Sequence, residues 1–403
     1  MSNILEGIKV VEVASFVAGP SASVQLADFG AEVIKVEPLN GDPWRMGHKN
    51  ALNMPSEIPY CHLLANRNKK SVAFNLKDPN AQQALYKLVE NADVFLTNSL
   101  PHVIKHLNIS YEKLAEINPK LIYALITGFG EKGAEADSPG FDETAWWARS
   151  GLMDTLRAKG AEPTMAPTGI GDNNTAVALF ASILLGLYQR ERTGKGCKVG
   201  TSLIASGVWT NSIHAQAALV GCEHQLAYAH GDTPNPLVGG IYKTKDDRRV
   251  FLVQMNPKNW EPMCDGLGAP ALKIDKRFSE PGLRLENHAE LVKELDAIFS
   301  KLTLAEASEK LHAAKTNFSV VKTNEELPND QQMIDNGLFP EIAGTNGIRT
   351  VQSPVSVDGQ EKATPQAAPE QIGQDTVDEL KKVGFSDADI ARLAASGAIG
   401  IVK

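Results

Sequence analysis

One stretch near the start of the chain decides its fold class: Lys9-Val10-Val11-Glu12-Val13, then Ala18-Gly19-Pro20, then Glu32-Val33-Ile34-Lys35-Val36. The first and last of these segments are short and rich in valine and isoleucine, which predicts two β-strands. Proline near a first helical position and the apolar pattern of Ser21–Phe29 predict a helix between them. A strand, a helix and a second strand in this order form a βαβ unit, so the chain opens a parallel sheet.

The same layer continues downstream. Further strands are predicted at Ser71–Leu76, Val94–Thr97 and Leu121–Thr127, with a helix through Ala81–Glu90. The predicted fold class is therefore α/β, with a Rossmann-like parallel sheet. The glycine fingerprint of dinucleotide-binding proteins is missing after the first strand, where the sequence reads Ala14-Ser15-Phe16-Val17-Ala18-Gly19. This absence argues against an NAD-dependent dehydrogenase.

Three segments are predicted from changes in composition. Residues 1–220 carry the Rossmann-like pattern of a large domain, 221–330 form a smaller α+β domain with linkers, and 331–403 follow as a third segment. Turn residues at Gly231–Pro236 mark the change, and Ile241–Lys243 and Val250–Gln254 predict two strands beyond it. The tail closes with two predicted helices, Thr376–Val383 and Asp387–Ala395.

Composition excludes several function classes. The chain has 403 residues, 43% of them apolar, and a formal net charge of −8, so it can bury more than one core and carries no basic footprint for nucleic acid. No run of apolar residues long enough for a membrane span stands out. The four cysteines and nine histidines form no metal-binding motif, and neither a metal nor a disulfide framework is expected. A reducing cytoplasm is the expected location.

A single carboxylate stands out in the segment Gly169-Ile170-Gly171-Asp172-Asn173-Asn174-Thr175, directly before a long apolar helical pattern that runs from Ala176 to Arg192. Asp172, Asn173, Asn174 and Thr175 are all competent helix caps, and capping is the commoner role of an aspartate at this position. A glycine-flanked carboxylate at a helix start can also be a nucleophile, because the helix dipole favours its ionised form. Spacing alone leaves both roles open.

Seven motifs recur in order over nearly the whole chain: Leu5–Glu12, Ala18–Pro20, Leu26–Glu37, Gly41-Asp42, Asn66–Ser71, Gly169–Asp172 and Arg192–Gly196. Together they resemble the class III CoA-transferases, the family of formyl-CoA transferase and of the carnitine and bile-acid CoA-transferases. The resemblance implies a discontinuous Rossmann-like large domain to which residues 331–403 return, a smaller α+β domain, and a ring-like subunit in an interlocked homodimer. It also implies that Asp172 is the nucleophile.

The implied reaction moves CoA from an acyl-CoA to a free carboxylic acid, through a mixed anhydride and an aspartyl-CoA thioester on Asp172. Acyl-CoA and the acid are the substrates, and no tightly bound cofactor is needed. The glycines before Asp172 would let the thioester approach, and nearby backbone amides would stabilise the oxyanions.

The resemblance assigns CoA contacts to the first βα turn (Ser15, Phe16, Val17 and Ala18), a strand end (Phe74, Asn75, Leu76 and Lys77), and Asn98, Lys105, His106, Phe141 and Asp142. Lys77 is the implied phosphate partner, although from the residues alone a solvated strand-end lysine is the commoner interpretation. Phe16 and Phe74 are equally interpretable as core residues. Pro38 and His106 stand where family members carry basic residues.

Two other functions are compatible with this fold. The acyl-CoA racemases use a histidine of a Gly-His-Asp segment as a base, but here the segment reads Gly140-Phe141-Asp142, and phenylalanine carries no proton. A non-catalytic CoA-binding protein would not require Asp172. Within the family, Pro139–Gly151 and Thr233–Pro236 look closest to the branch that acts on aryl and branched 2-hydroxy acids, such as phenyllactate CoA-transferase. Trp146 and Trp147 are then either an acyl wall or, more commonly, core.

Overall fold

The computed structural model describes residues 3–223 and 226–402. Its strands are β1 (Lys9–Val13), β2 (Glu32–Glu37), β3 (Lys69–Phe74), β4 (Val94–Thr97), β5 (Ile122–Thr127), β6 (Cys197–Ser202), β7 (Val238–Lys243), β8 (Arg249–Val253), β9 (Phe318–Val320) and β10 (Ile399–Gly400).

The first ten α-helices are α1 (Ala18–Asp28), α2 (Gly47–Asn50), α3 (Tyr60–Asn66), α4 (Pro79–Glu90), α5 (Pro101–His106), α6 (Tyr111–Ile117), α7 (Leu152–Thr155), α8 (Ile170–Thr193), α9 (Leu203–Thr210) and α10 (Ser212–Leu219). The remainder are α11 (Trp260–Gly266), α12 (Ala271–Ile274), α13 (Pro281–Glu286), α14 (His288–Phe299), α15 (Leu304–Ala313), α16 (Gln331–Asp335), α17 (Thr376–Lys382) and α18 (Asp387–Ala395). A short π-helix spans Asp142–Ala148.

The chain divides into two compact units. The larger comprises Met1–Asp154, Thr164–His224 and Gln332–Lys403, and the smaller comprises Thr155–Pro163 and Gln225–Gln331. The sequence-based boundaries at 220 and 330 lie close to these breaks, but the short segment Thr155–Pro163 had been assigned to the large domain. It joins the smaller unit through a bridge between Ala158 and Ala227.

The larger unit is built on a seven-stranded sheet in the order β10-β3-β2-β1-β4-β5-β6. Strands β1 to β6 run parallel, and only the short β10 pairs antiparallel, with β3. The predicted α/β class with a mainly parallel sheet is confirmed. Helices cover both faces, because a parallel sheet needs apolar cover on each side.

Helices α1 and α8 pack on one face of this sheet, where Phe29 and Phe180 stack with ring centroids 6.3 Å apart. Helices α4, α17 and α18 bury Leu85, Leu380 and Leu393 on the opposite face. Among the helices in residues 3–223 and 226–402, α8 is long and apolar enough to cross a membrane by length and composition only, with a mean hydropathy of 1.3 over an 18-residue window. Much of its surface lies against α1 and the sheet, as in the core helix of a globular domain.

The smaller unit has a three-stranded antiparallel sheet, in the order β7-β8-β9. Helices α11, α14 and α15 close its core around Tyr242 and Phe299, whose rings stack at 5.0 Å. This is the α+β arrangement that the sequence predicted for the segment after residue 220.

Candidate active site

The sheet order creates a crevice between β1 and β4. The chain leaves β1 towards β2 on one side, while β4 lies on the other, so the carboxyl ends of β1 and β4 flank a topological switch point. Ligands of open parallel sheets bind at such points. Ser15 follows β1 and Asn98 follows β4. The Asn98 side chain accepts from the Ser15 amide at 3.1 Å and donates to the Ser15 carbonyl at 2.8 Å, so Asn98 fixes the first βα turn.

A cavity of about 480 Å³ opens at one side of this switch point, and we refer to it as the Lys77 cavity. It collects six of the residues that the resemblance assigned to CoA: Ser15, Phe74, Asn75, Leu76, Lys77 and Asn98. Lys77 is exposed and lies at the edge of this cavity. Pro38, one of the two departures from the family pattern, also lines this cavity.

A second, smaller cavity of about 70 Å³ contains the candidate nucleophile, and we refer to it as the Asp172 cavity. Its lining includes six of the predicted site residues: Phe16, Val17, Ala18, Asn98, Phe141 and Asp172. Asn98 lines both cavities, so the two meet at the switch point. The structure therefore brings Asp172 to the turn that the sequence analysis assigned to CoA.

The prediction that Asp172 or a following residue caps the long helix is wrong. Helix α8 begins at Ile170, and its N-cap is Gly169, whose φ of 93° is open to glycine but strained for other residues. The capping carboxylate is that of Asp142, which accepts from the amides of Gly169 at 2.7 Å and Gly171 at 3.3 Å. Asp172 lies in the first turn, and its carboxylate accepts no hydrogen bond from any residue that the structure describes.

The electrostatics of Asp172 also differ from the expectation. Burial, followed by the nearby carboxylates of Asp142 and Glu143, raises the pKa of Asp172 to about 8. The helix start therefore does not keep this carboxyl ionised, because desolvation and like charge outweigh the favourable dipole. Burial and a hydrogen bond with Glu143 likewise raise the pKa of Asp142 to about 7. The site brings three acidic groups together, and ionising all three at once carries a large electrostatic free-energy penalty.

The structure also changes the expected roles of the glycines before Asp172 and of the two neighbouring tryptophans. From the sequence, nearby backbone amides are expected to stabilise the oxyanions, but the amides of Gly169 and Gly171 already donate to Asp142 and are not free for that role. Gly171 is required for a different reason: a Cβ there would lie 2.6 Å from the Trp146 ring. Trp146 and Trp147 are both buried in a cluster with Leu203, which makes them core residues rather than an acyl wall.

Beneath the first βα turn lies a buried ionic network that the sequence analysis missed. Lys35 lies 2.8 Å from a carboxylate oxygen of Glu12 and 2.8 Å from one of Asp42, and Lys69 lies 2.8 Å from the other oxygen of Glu12. Asp42 in turn accepts from the Phe16 amide at 3.2 Å. The available signal was the charged residues inside apolar strands, since such charges are rarely buried without a partner.

Lys105 and His106 are not brought to either cavity. Both are exposed on α5, and Lys105 instead lines a separate cavity of about 430 Å³ with Lys113 and Lys198. In residues 3–223 and 226–402, no three His, Cys, Asp or Glu side chains lie close enough together to hold a metal ion.

The chain belongs to CoA-transferase family III, whose family model matches residues 5–376. It is 34% identical over 395 residues to (R)-2-hydroxy-4-methylpentanoate CoA-transferase of Clostridioides difficile, covering 96% of this chain and 97% of that protein. It is 33% identical over 406 residues to cinnamoyl-CoA:phenyllactate CoA-transferase of Clostridium sporogenes, covering 97% and 96%. A CAIB/BAIF family protein from Brucella suis shares the fold, with a TM-score of 0.85 at 23% identity over 95% of this chain and 100% of that one. The predicted family is confirmed, and the protein is a CoA-transferase that uses acyl-CoA as a substrate.

Proposed function

We propose that this member of CoA-transferase family III transfers CoA from an acyl-CoA thioester to a free carboxylic acid with Asp172 as the covalent nucleophile. The observation that carries the proposal is the position of Asp172. Its carboxylate lines a cavity bounded by the first βα turn, and that cavity meets the Lys77 cavity at Asn98. CoA lying along the turn, with a phosphate at Lys77, would bring its thioester to Asp172.

The reaction balances without a further reagent. An oxygen of the Asp172 carboxylate attacks the thioester carbonyl. The CoA thiolate departs, and an acyl-aspartyl anhydride remains on the enzyme. The thiolate attacks the aspartyl carbonyl, which releases the donor acid and leaves an aspartyl-CoA thioester. The acceptor carboxylate attacks that thioester and displaces the thiolate, which then attacks the acceptor's carbonyl. The acceptor leaves as its CoA thioester, and Asp172 is regenerated.

The surroundings of Asp172 favour this chemistry over the two alternatives. A racemase needs a base at position 141, and the Phe141 ring cannot exchange a proton. A passive CoA-binding protein gains nothing from a largely desolvated carboxyl beside two others, since desolvation and like charge raise the free energy of its anion. A nucleophile benefits from the basicity that results, and Asp172 is only half-buried and lines the cavity, so a substrate can reach it.

Trapping the intermediate tests the proposal. The protein is incubated with an acyl-CoA, treated with hydroxylamine or borohydride, and digested for peptide mass analysis. We expect a hydroxamate or a reduced side chain at Asp172, and loss of both label and turnover in Asp172→Asn. Glu116→Gln, an exposed carboxylate change on α6, is the matched control and should retain both. An unlabelled Asp172 peptide during turnover, or full activity of Asp172→Asn, would refute the mechanism.

We also propose that the protein works as a homodimer, which α10 supports. No residue of this helix is buried in the single chain. Its Ile213 and Leu219 are 82% and 80% exposed, and Trp209 at the end of α9 is 79% exposed. A large exposed apolar surface of this kind is typical of an interface. Ile213→Asp should lower the mass measured by light scattering, whereas Ile274→Asp, an equally exposed change on α12, should not. A monomeric wild-type protein at micromolar concentration would contradict the dimer.

A reducing cytoplasm is the location we propose, because Cys61, Cys197, Cys222 and Cys264 all carry free thiols in the structure. Cell fractionation with an antibody to the protein tests this location, and recovery in a secreted fraction would contradict it.

A further inference from the structure

Phe16 adopts a backbone conformation that a phenylalanine seldom takes. Its φ is 65°, in the left-handed region that disfavours side chains with a Cβ. The amide of Phe16 donates to Asp42, whose carboxylate is held by Lys35 at 2.8 Å and by the Trp44 amide at 2.9 Å. The buried ionic network therefore holds this residue in a strained geometry. Strain of this kind is retained where the side chain serves a site.

In this strained turn the Phe16 ring is partly exposed to solvent. Phe16 is 40% exposed and Phe141 is 55% exposed, although most large aromatic side chains are buried. The two rings meet edge to face, with centroids 6.0 Å apart and planes at 89°, and the Trp44 ring lies 6.4 Å from Phe16. Both phenylalanines line the Asp172 cavity, so an acyl group bonded to Asp172 would lie against their rings.

The same cavity offers no cationic side chain to a second negative charge. Its eleven lining residues, all within the described chain, include no lysine, arginine or histidine. The carboxylates of Asp142 and Glu143 act on Asp172 as like charges. A dicarboxylic acid would have to bury its free carboxylate beside these groups without a counter-ion, which is strongly unfavourable.

We propose that Phe16 and Phe141 form the acyl-recognition surface of the site, and that they select acids with branched or aromatic apolar side chains against acetate-sized and dicarboxylic acids. The inference rests on the proposed function, in which Asp172 carries the acyl group. It assigns specificity to these two rings and leaves Trp146 and Trp147 in the core.

Binding in a turnover-blocked protein separates selectivity from catalysis. In the Asp172→Asn background, dissociation constants are measured by calorimetry for 4-methylpentanoyl-CoA, 3-phenylpropanoyl-CoA, acetyl-CoA and succinyl-CoA. We expect both apolar thioesters to bind at least about tenfold more tightly than acetyl-CoA, the discrimination that a few methylenes in an apolar pocket provide. Succinyl-CoA should bind no better than acetyl-CoA.

Two variants then test the rings, each combined with Asp172→Asn. Phe16→Gly, which suits the positive φ, and Phe141→Ala should each reduce the apolar-to-acetyl ratio roughly tenfold, to near one. Leu39→Ala, which removes an exposed apolar side chain from the Lys77 cavity, is the matched control. It should weaken all four thioesters equally and leave the ratio unchanged.

The proposal is overturned if the ratio in Phe16→Gly and Phe141→Ala stays within about twofold of the parent protein, or if succinyl-CoA binds most tightly. These outcomes are independent of the covalent mechanism. A failure of the proposed function would appear as an unlabelled Asp172 in the otherwise unmodified enzyme, while the binding ratios would still measure selectivity.

Discussion

The strongest prediction concerns the pH dependence of transfer, because the structure raises the pKa of Asp172 to about 8 by burial and by the carboxylates of Asp142 and Glu143. Only the ionised carboxylate attacks, so kcat/KM should rise with pH and level off above this pKa. One pH unit below the pKa about a tenth of the sites are ionised, and two units below about a hundredth. Near pH 6 the wild-type enzyme should therefore retain on the order of 1% of its plateau value of kcat/KM.

The informative perturbation is Asp142→Asn. It removes one negative charge beside Asp172 but retains an oxygen that can accept from the Gly169 amide. Losing a like charge at close range should lower the apparent pKa of Asp172 by roughly one unit, which corresponds to about 1.4 kcal/mol. Because the pKa of Asp142 is itself about 7, its charge acts on Asp172 mainly above that pH. Relative to its own plateau, the variant should therefore be roughly threefold more active than the wild type near pH 7.5, and the two should converge at lower pH.

The assay is the initial rate of acyl-CoA formation, separated by chromatography, at low substrate concentration across the stable pH range. Normalising each profile to its plateau separates the pKa from any change in the maximal rate. Glu116→Gln, which removes an exposed carboxylate that is not among the groups that shift the pKa of Asp172, should reproduce the wild-type profile. A wild-type profile without a limb between pH 6 and 8, or identical profiles for wild type and Asp142→Asn, would refute the electrostatic account of Asp172.

Three further outcomes follow from the structure. Because the pKa of Asp172 is raised in the folded state, the free energy of unfolding should fall as pH rises from about 4 to about 8. Asp172→Asn should therefore be more stable than wild type by at least about 2 kcal/mol near pH 9 and equally stable near pH 4. Urea unfolding at both pH values checks this. Gly171→Ala would place its Cβ 2.6 Å from the Trp146 ring and should cost about 1–3 kcal/mol and lower kcat, whereas an unchanged melting temperature and rate would contradict the packing. Asp28→Asn leaves the buried guanidinium of Arg67 without its bidentate partner and should cost about 3–5 kcal/mol in urea unfolding, so an unchanged midpoint would show the pair to be dispensable.

The inner strands of the central sheet could be predicted because they are largely buried on both faces and are rich in β-branched and other apolar residues. The predictions for β1 and β4 match the observed bounds, at Lys9–Val13 and Val94–Thr97. Strand β6, at Cys197–Ser202, was not predicted. It lies at the edge of the sheet, contains Gly200 and is half-exposed, so it lacks the apolar signal.

The site was predictable in position and less so in role. Asp172, the first βα turn and the Phe74–Lys77 strand end follow from ordered local motifs, and the fold brings them together. Asp142, at the start of the π-helix, caps α8 by accepting from the amides of Gly169 and Gly171, which lie 27 and 29 positions further along the chain. No local sequence pattern predicts a contact between residues so far apart. The pKa of Asp172 depends on the same long-range contact, which explains why the helix-dipole argument predicted the wrong direction.

The arrangement around Asp172 also explains how a poorly ionised carboxyl can serve as a nucleophile. Burial and two neighbouring carboxylates raise the free energy of its anion, which makes the ionised form scarce but more basic. In the proposed reaction, attack on the thioester converts that anion into a neutral acyl derivative and moves the charge to the CoA thiolate, away from Asp142 and Glu143. The repulsion present in the ground state is then relieved as the bond forms. An enzyme that stabilised the Asp172 anion with an adjacent cation would lose this contribution, because it would bind the reactant carboxylate more tightly than the transition state.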